Sequence, residues 1–203
     1  MLFVKPTECQ TANNKASQHW QETVAETIWR GVYSNCDYGY YVDLPVGMVA
    51  HSGKPPSSNH GSVIDLAEPS SASPLATPLS RYIKIWNQYN AANLPSLSAI
   101  VDAELKSMRS GDSDFELVGR KVVRLDDLHA TSVMVRFKER GVDVAETKVI
   151  AYRPPGPAGL GDIIYEISLV TTIENGDEDR ATFQKVLLGF HTTALPEGVC
   201  VNN

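Results

Sequence analysis

Apolar and polar positions alternate along this chain with two different periods, and the switch between them marks the elements. From Tyr38 the period is two. Tyr38, Tyr40, Val42 and Leu44 share one face, with Gly39, Tyr41 and Asp43 on the other, which predicts a strand. Pro45 ends it, because proline offers no N–H to a ladder. Residues 62–66 and 81–89 read as two further strands. The stretches 46–61 and 67–80, rich in Pro, Gly and Ser, read as irregular connections, the first of them unusually long. The period then changes. Leu97, Ile100, Val101, Leu105 and Met108 form a helical stripe over 96–109, with Ser96 as N-cap and Gly111 just past the end. Strands follow at 115–125, 131–140, 142–152 and 162–173, with Gly141 at a tight hairpin. A closing helix begins at Asp177, Glu178 and Asp179, whose carboxylates suit the helix dipole. Phe183, Val186, Leu187 and Phe190 make its apolar stripe, and residues 195–198 end it. Near the start, Trp20, Val24 and Ile28 recur every four residues and predict a short helix over 18–29.

Strands outnumber helices and hairpins link the middle ones. The fold class is therefore α+β, an antiparallel β-sheet of about six to seven strands with helices packed on it. Residues 1–30 read as an N-terminal extension and 31–203 as a single domain. The predicted core comprises Leu44, Ile64, Ile83, Leu97, Ile100, Val101, Leu105, Val133, Val135, Phe137, Val149, Ile163, Tyr165, Ile167, Leu169, Phe183, Val186, Leu187 and Phe190.

Composition narrows the function more than the fold. A net charge of −6 over 203 residues argues against nucleic-acid binding by broad phosphate neutralisation. No apolar run approaches the ~20 residues of a membrane helix. The opening Met1-Leu2-Phe3-Val4-Lys5-Pro6 lacks the pattern of a signal peptide.

The order of elements, with its short apolar motifs, resembles the PsbP-like family. The aromatic strand ending Tyr-Gly-Tyr-Tyr-Val-Asp-Leu-Pro-Val-Gly, the helix at 96–109, the Ile-Tyr-Glu-Ile-x-Leu strand and the closing segment from Phe183 to Phe190 are similar to that family's pattern over roughly 33–192. The resemblance implies an α/β/α sandwich. It also implies an extracytoplasmic, periplasmic or secreted setting and a binding role without catalysis. The long loops 46–61 and 67–80 and the N-terminal extension depart from the pattern. No functional residue is carried over.

The residues themselves offer four candidate features. Loop 46–61 concentrates His51, Lys54, Asn59 and His60, with Asp65 on the next strand. Two imidazoles and a carboxylate are metal-ligand types, which makes His51, His60 and Asp65 a candidate divalent-metal set. Lys54 and Asn59 are candidate ligand contacts from the same loop. Residues 120–153 carry eight basic side chains (Arg120, Lys121, Arg124, Arg136, Lys138, Arg140, Lys148, Arg153) against five acidic ones. That excess in an acidic protein marks a partner-facing sheet, with Arg136 and Lys138 as its contacts. The tyrosines gathered in the N-terminal half fit either strand core or a ligand groove. Of three cysteines, Cys36 sits just before the first strand and Cys200 just beyond the last helix. In an oxidising compartment a Cys36–Cys200 bridge would staple the chain ends, leaving Cys9 free. A Cys9–Cys36 bridge and three reduced thiols are the alternatives.

Motifs for nucleophile elbows, phosphate loops, zincins and paired-cysteine redox sites do not occur. Three functional readings follow. The first is a non-catalytic binding or accessory protein outside the cytoplasm with a protein or small-molecule partner. The second is a metal-dependent hydrolase using His51 and His60. The third is a cytoplasmic adaptor docking an acidic partner. The sequence names no cofactor.

Overall fold

A computed structural model describes residues 27–52, 60–66, 81–111, 114–139, 141–155 and 161–192. Along the chain run β1 (Thr27–Arg30), β2 (Val32–Asn35), β3 (Tyr40–Asp43), β4 (Val49–Ser52), β5 (Gly61–Asp65) and β6 (Tyr82–Tyr89). Helix α1 (Leu97–Gly111) follows, then β7 (Glu116–Leu125), β8 (Leu128–Glu139), β9 (Val142–Arg153), β10 (Ile163–Thr172), helix α2 (Gly176–Leu188) and β11 (Phe190–His191). Eight strands form one sheet in the order β1-β4-β5-β6-β10-β9-β8-β7, and a three-stranded sheet has the order β11-β3-β2. Every pairing is antiparallel.

The long strands β7 to β10 form a meander because tight turns join them. Gly141 at φ 81° turns β8 into β9, and Asp126 at φ 54° opens the two-residue turn between β7 and β8. Strand β10 lies at the centre and is buried on both faces. Its odd residues Ile163, Tyr165, Ile167 and Leu169 join Phe183 and Val186 of α2 and Tyr33, Tyr40, Val42 and Phe190 of the small sheet in the main core. On the opposite face Ile164 meets Ile150, Val133 and the α1 residues Ile100 and Val101. The eight-stranded sheet is thus the middle layer, with α1 on one side and α2 plus the small sheet on the other. Ser96 caps α1, its Oγ accepting from the Ala99 N–H at 3.3 Å.

Several expectations need correction. The sheet is larger than six to seven strands. Residues 27–30 form a strand rather than the end of a helix, because β1 finds a partner in β4 and Trp29 Nε1 donates to Ser52 Oγ at 2.8 Å. Residues 18–26 of that predicted helix lie outside the described residues. The stretch 46–61 is not a continuous loop, since β4 lies within it and Ala50 and Ser52 are buried there. Phe190 does not continue the α2 stripe. The helix ends at Leu188, and Phe190 pairs with Val42 in β11. Most of the predicted core is buried, but Leu97, Leu105, Phe137 and Leu187 are only half-buried.

One glycine is fixed by a close approach. Gly61 faces Trp86 across β5 and β6, and a Cβ there would lie 1.8 Å from the Ile85 carbonyl oxygen. Gly61→Ala should therefore force the two strands apart and destabilise the protein by about 1–3 kcal/mol or more. The thermal midpoint checks this. Gly119→Ala, where a Cβ meets nothing within 4 Å, should shift it little. Equal midpoints for the two variants would contradict the geometry.

Candidate functional site

The candidate site follows from where α2 sits. The helix packs over β10, held there by its buried Phe183 and Val186. Asp179, in its first turn, is also buried. It accepts from Arg81 Nε at 2.9 Å, pairs with Arg81 Nη2 at 2.5 Å and accepts from the Thr171 hydroxyl. That anchor ties the helix to the ends of β6 and β10 and leaves the outer strands β7 and β8 uncovered on this face by the described elements. Between them and α2 lies a cleft of about 750 Å³.

Strand register decides its floor. Val123 lies opposite Ala130, Lys121 opposite Ser132 and Gly119 opposite Met134, while Ser132 and Met134 lie opposite Val149 and Thr147 of β9. Directly opposed residues share a face, so Lys121, Val123, Ser132, Met134, Thr147 and Val149 all turn toward α2. The helix contributes Arg180, Phe183, Gln184, Leu187 and Leu188, and β11 closes one end with Phe190 and His191. The interior is predominantly apolar and the mouth is basic.

Of the basic groups there, Arg180 pairs with Asp177. Arg120 and Arg124 alternate with the α2-facing residues and carry their heads to the other face of β7, Arg120 donating to Asp102 of α1 at 2.6 Å and Arg124 to the Asp127 carbonyl at 2.5 Å. Lys121 has no ion-pair partner among the described residues. Asp126 is the one carboxylate among the described residues that line the cleft. It accepts from the Thr192 N–H at 2.8 Å and the Thr192 hydroxyl at 3.0 Å. Partial burial pushes its carboxyl up, but these bonds and the nearby His191 outweigh that and hold its pKa below the ordinary range.

A second charged cluster lies on the opposite face under α1. Lys148 pairs with Glu104 of α1 and lies 3.6 Å from Glu146 and 3.5 Å from Glu166. Gln88 Nε2 donates to Glu166 at 3.3 Å. Burial opposes the ammonium charge, but the three carboxylates outweigh it and raise the Lys148 pKa. Burial raises Glu166 too; Lys148 pulls the other way and Glu104 reinforces the rise. This cluster fixes α1 on the sheet, on the face away from the α2 cleft.

The structure does not bring the candidate metal set together. His51 lies opposite Val63, while His60 precedes Gly61 at the far end of β5 from Asp65. Asp65 lies five residue steps along the strand from His60, about 16 Å. The His60 ring stacks on Trp86 at 4.9 Å, and its Nδ1 lies 2.8 Å from Tyr38 Oη and 2.9 Å from the Asn87 carbonyl oxygen. Among the described residues no group of three or more His, Cys, Asp or Glu is placed to hold an ion. Arg136 and Lys138 are exposed on β8, on the same face as Met134, but Arg136 lies opposite Glu116 and Lys138 opposite Asp143. Lys54, Asn59, Cys9 and Cys200 lie outside the described residues. Cys36 is disulfide-bonded. Tyr33, Tyr40 and Tyr165 are buried, with Asn87 Nδ2 donating to Tyr40 Oη at 2.6 Å. These tyrosines are core rather than groove.

Sequence reading missed the cleft residues Lys121, Met134, Arg180 and Leu187 as a set. Its one available signal was the basic excess over 120–153.

A central antiparallel sheet carrying a helix on each face and a small sheet beside one helix is the PsbP-like fold, and this chain has it. It is similar to cyanobacterial PsbP (CyanoP) from Synechocystis, with a TM-score of 0.52 and 15% identity over 84% of this chain and 94% of that one. LpqN of Mycobacterium tuberculosis, involved in cell envelope biogenesis, gives 0.51 at 11% identity over 84% and 85%. The Saccharomyces cerevisiae Ran-binding protein Mog1p gives 0.50 at 10% over 82% and 96%. No family model matches the chain, and no curated protein matches it by sequence.

Proposed function

We propose that this chain is a non-catalytic binding or accessory protein that works outside the cytoplasm and takes its ligand in the α2 cleft. The observation that carries the reading is the cleft itself, a cavity of about 750 Å³ with an apolar interior and a basic mouth. That volume falls in the ~300–1,000 Å³ range of small-molecule sites, and apolar walls with a few placed polar groups are their usual lining. The roles of two fold neighbours, Ran binding and cell envelope biogenesis, are compatible with binding rather than chemistry. The disulfide at Cys36 supports an oxidising compartment.

A ligand that binds only the folded state raises the thermal midpoint by mass action. Screening small molecules against the full chain should yield compounds that raise the midpoint, lose the effect in Met134→Trp, which fills the cleft floor, and are recovered chemically unchanged. Turnover of such a compound, or stabilisation indifferent to the filled cleft, would sink the reading.

The Cys36 bridge belongs to the same proposal, with Cys200 as partner. Closing so long a loop stabilises by about 4–5 kcal/mol in the chain-entropy account. Peptide mapping of unreduced protein should recover Cys36 linked to Cys200. A linked Cys9 peptide would refute the pairing.

A further inference from the structure

We infer that the α2 cleft takes a single-chain amphiphile with an anionic head, of which a medium- or long-chain carboxylate is the simplest member, and that Lys121 holds the head. The inference rests on the reading above and deepens it.

The first support is polarity. Val123, Met134 and Val149 floor the cleft and Phe183 and Leu187 wall it, so its interior offers contact to an apolar chain and little to a polar one. The second is the distribution of charge at the mouth. Arg180 is paired with Asp177, while Arg120 and Arg124 alternate with Lys121 and Val123 and carry their heads to the other face of β7, where Arg120 donates to Asp102 of α1. Lys121 has no ion-pair partner among the described residues, and the register opposite Ser132 turns it to the cleft face. The third is the state of the carboxylate found among the described lining residues. Asp126 accepts two hydrogen bonds from Thr192 and its pKa is held low, so its charge serves the chain leaving β11.

An ammonium set beside an apolar cleft without a counter-ion is complementary to an anion brought by the ligand. A carboxylate with an alkyl tail meets both requirements at once. A neutral chain satisfies the floor alone, and a cationic one is repelled at the mouth.

The test compares three probes of equal tail length, decanoate, decanol and decyltrimethylammonium, each below its micellar concentration. Calorimetric titration of the full chain is combined with backbone amide shifts. Decanoate should bind about tenfold or more tighter than the other two and shift β7, β8 and α2. Lys121→Glu should erase that preference and leave decanol affinity unchanged. Lys121 is solvent-exposed, so this variant is expected to fold, and its thermal midpoint verifies that. Equal binding of decanol or the ammonium probe, or decanoate binding indifferent to Lys121→Glu, overturns the inference while leaving a binding protein. Decanoate that fails to bind, or binds away from the cleft, also overturns it. The same holds if the cleft is filled by the chain's own C-terminal segment or a second copy, seen as protected cleft amides or a dimer. Decanoate returned chemically altered overturns the non-catalytic reading instead.

Discussion

Lys148→Met should destabilise the protein by about 3–5 kcal/mol at neutral pH, because it leaves three carboxylates close together with their shared cation gone. In the native fold Glu104, Glu146 and Glu166 all lie within 4 Å of the ammonium, and none of the four side chains is more than a quarter exposed. The pH dependence follows from the direction of the Glu166 shift. Its folded pKa is already above the ordinary carboxylate value, and removing Lys148 raises it further. A carboxyl raised on folding favours the folded state while protonated, so the penalty is full above the folded pKa and fades as pH falls through it. The gap between wild type and variant should be widest near neutrality and narrow in mild acid. Adding Glu166→Gln should recover much of the loss. Urea midpoints across this pH range provide the measurement, and a pH-independent gap would show that the cluster does not act as a charged unit. In wild type, Lys148 is stabilising below its ordinary pKa of 10.5, and that contribution is lost as the solution becomes more alkaline.

Phe190→Ala should cost about 3–5 kcal/mol, the usual range for emptying a buried aromatic site. Phe190 is 1% exposed. Its ring stacks on Tyr40 at 5.1 Å and meets Tyr165 edge-on at 5.6 Å. It therefore joins three elements: the chain leaving α2, the small sheet and the central strand β10. The neighbouring backbone reinforces the joint, the Asp43 N–H donating to the Gly189 carbonyl at 2.8 Å. Phe190 also lines the cleft, so the truncation should loosen one end of the ligand site. A loss under ~1 kcal/mol with an unchanged denaturant slope would mean that the small sheet closes over the gap.

The longest elements are legible because their periodicity has room to declare itself. The strands from 116 onward, the α1 stripe and the position of Gly141 follow from alternation and turn chemistry. Strands β1, β2 and β4 have four residues each, too few to separate a period of two from one of four, and β1 reads as helix on that account. The same brevity makes Phe190 look helical, since its spacing from Phe183 fits a stripe equally well. Glu166 alternates with the core residues Tyr165 and Ile167 and so reads as facing solvent. Nothing local shows that α1 brings Glu104 over Lys148. The PsbP-like fold is visible as element order. The site is not, because β7, β8 and α2 meet only through the sheet, and Lys121 looks like any strand lysine until register shows its face. His51 and His60, close in sequence, suggest a site that hairpin geometry separates.

Strand β7 closes one end of the large sheet, with no neighbouring strand on its outer side among the described residues. It is exposed along most of its length, with Val122 83% accessible. Such an edge is an open template for another chain. Here the row Arg120, Lys121 and Arg124, together with the irregular register between Leu117 and Gly119, stands against that. A second copy approaching antiparallel would set cations against cations across mismatched ladders. The guard is electrostatic and so has a range. Repulsion reaches about 8 Å at physiological ionic strength and about 3 Å near 1 M salt. Concentrated salt therefore weakens the guard on this edge while leaving the hydrogen-bonded ladders of the sheet intact.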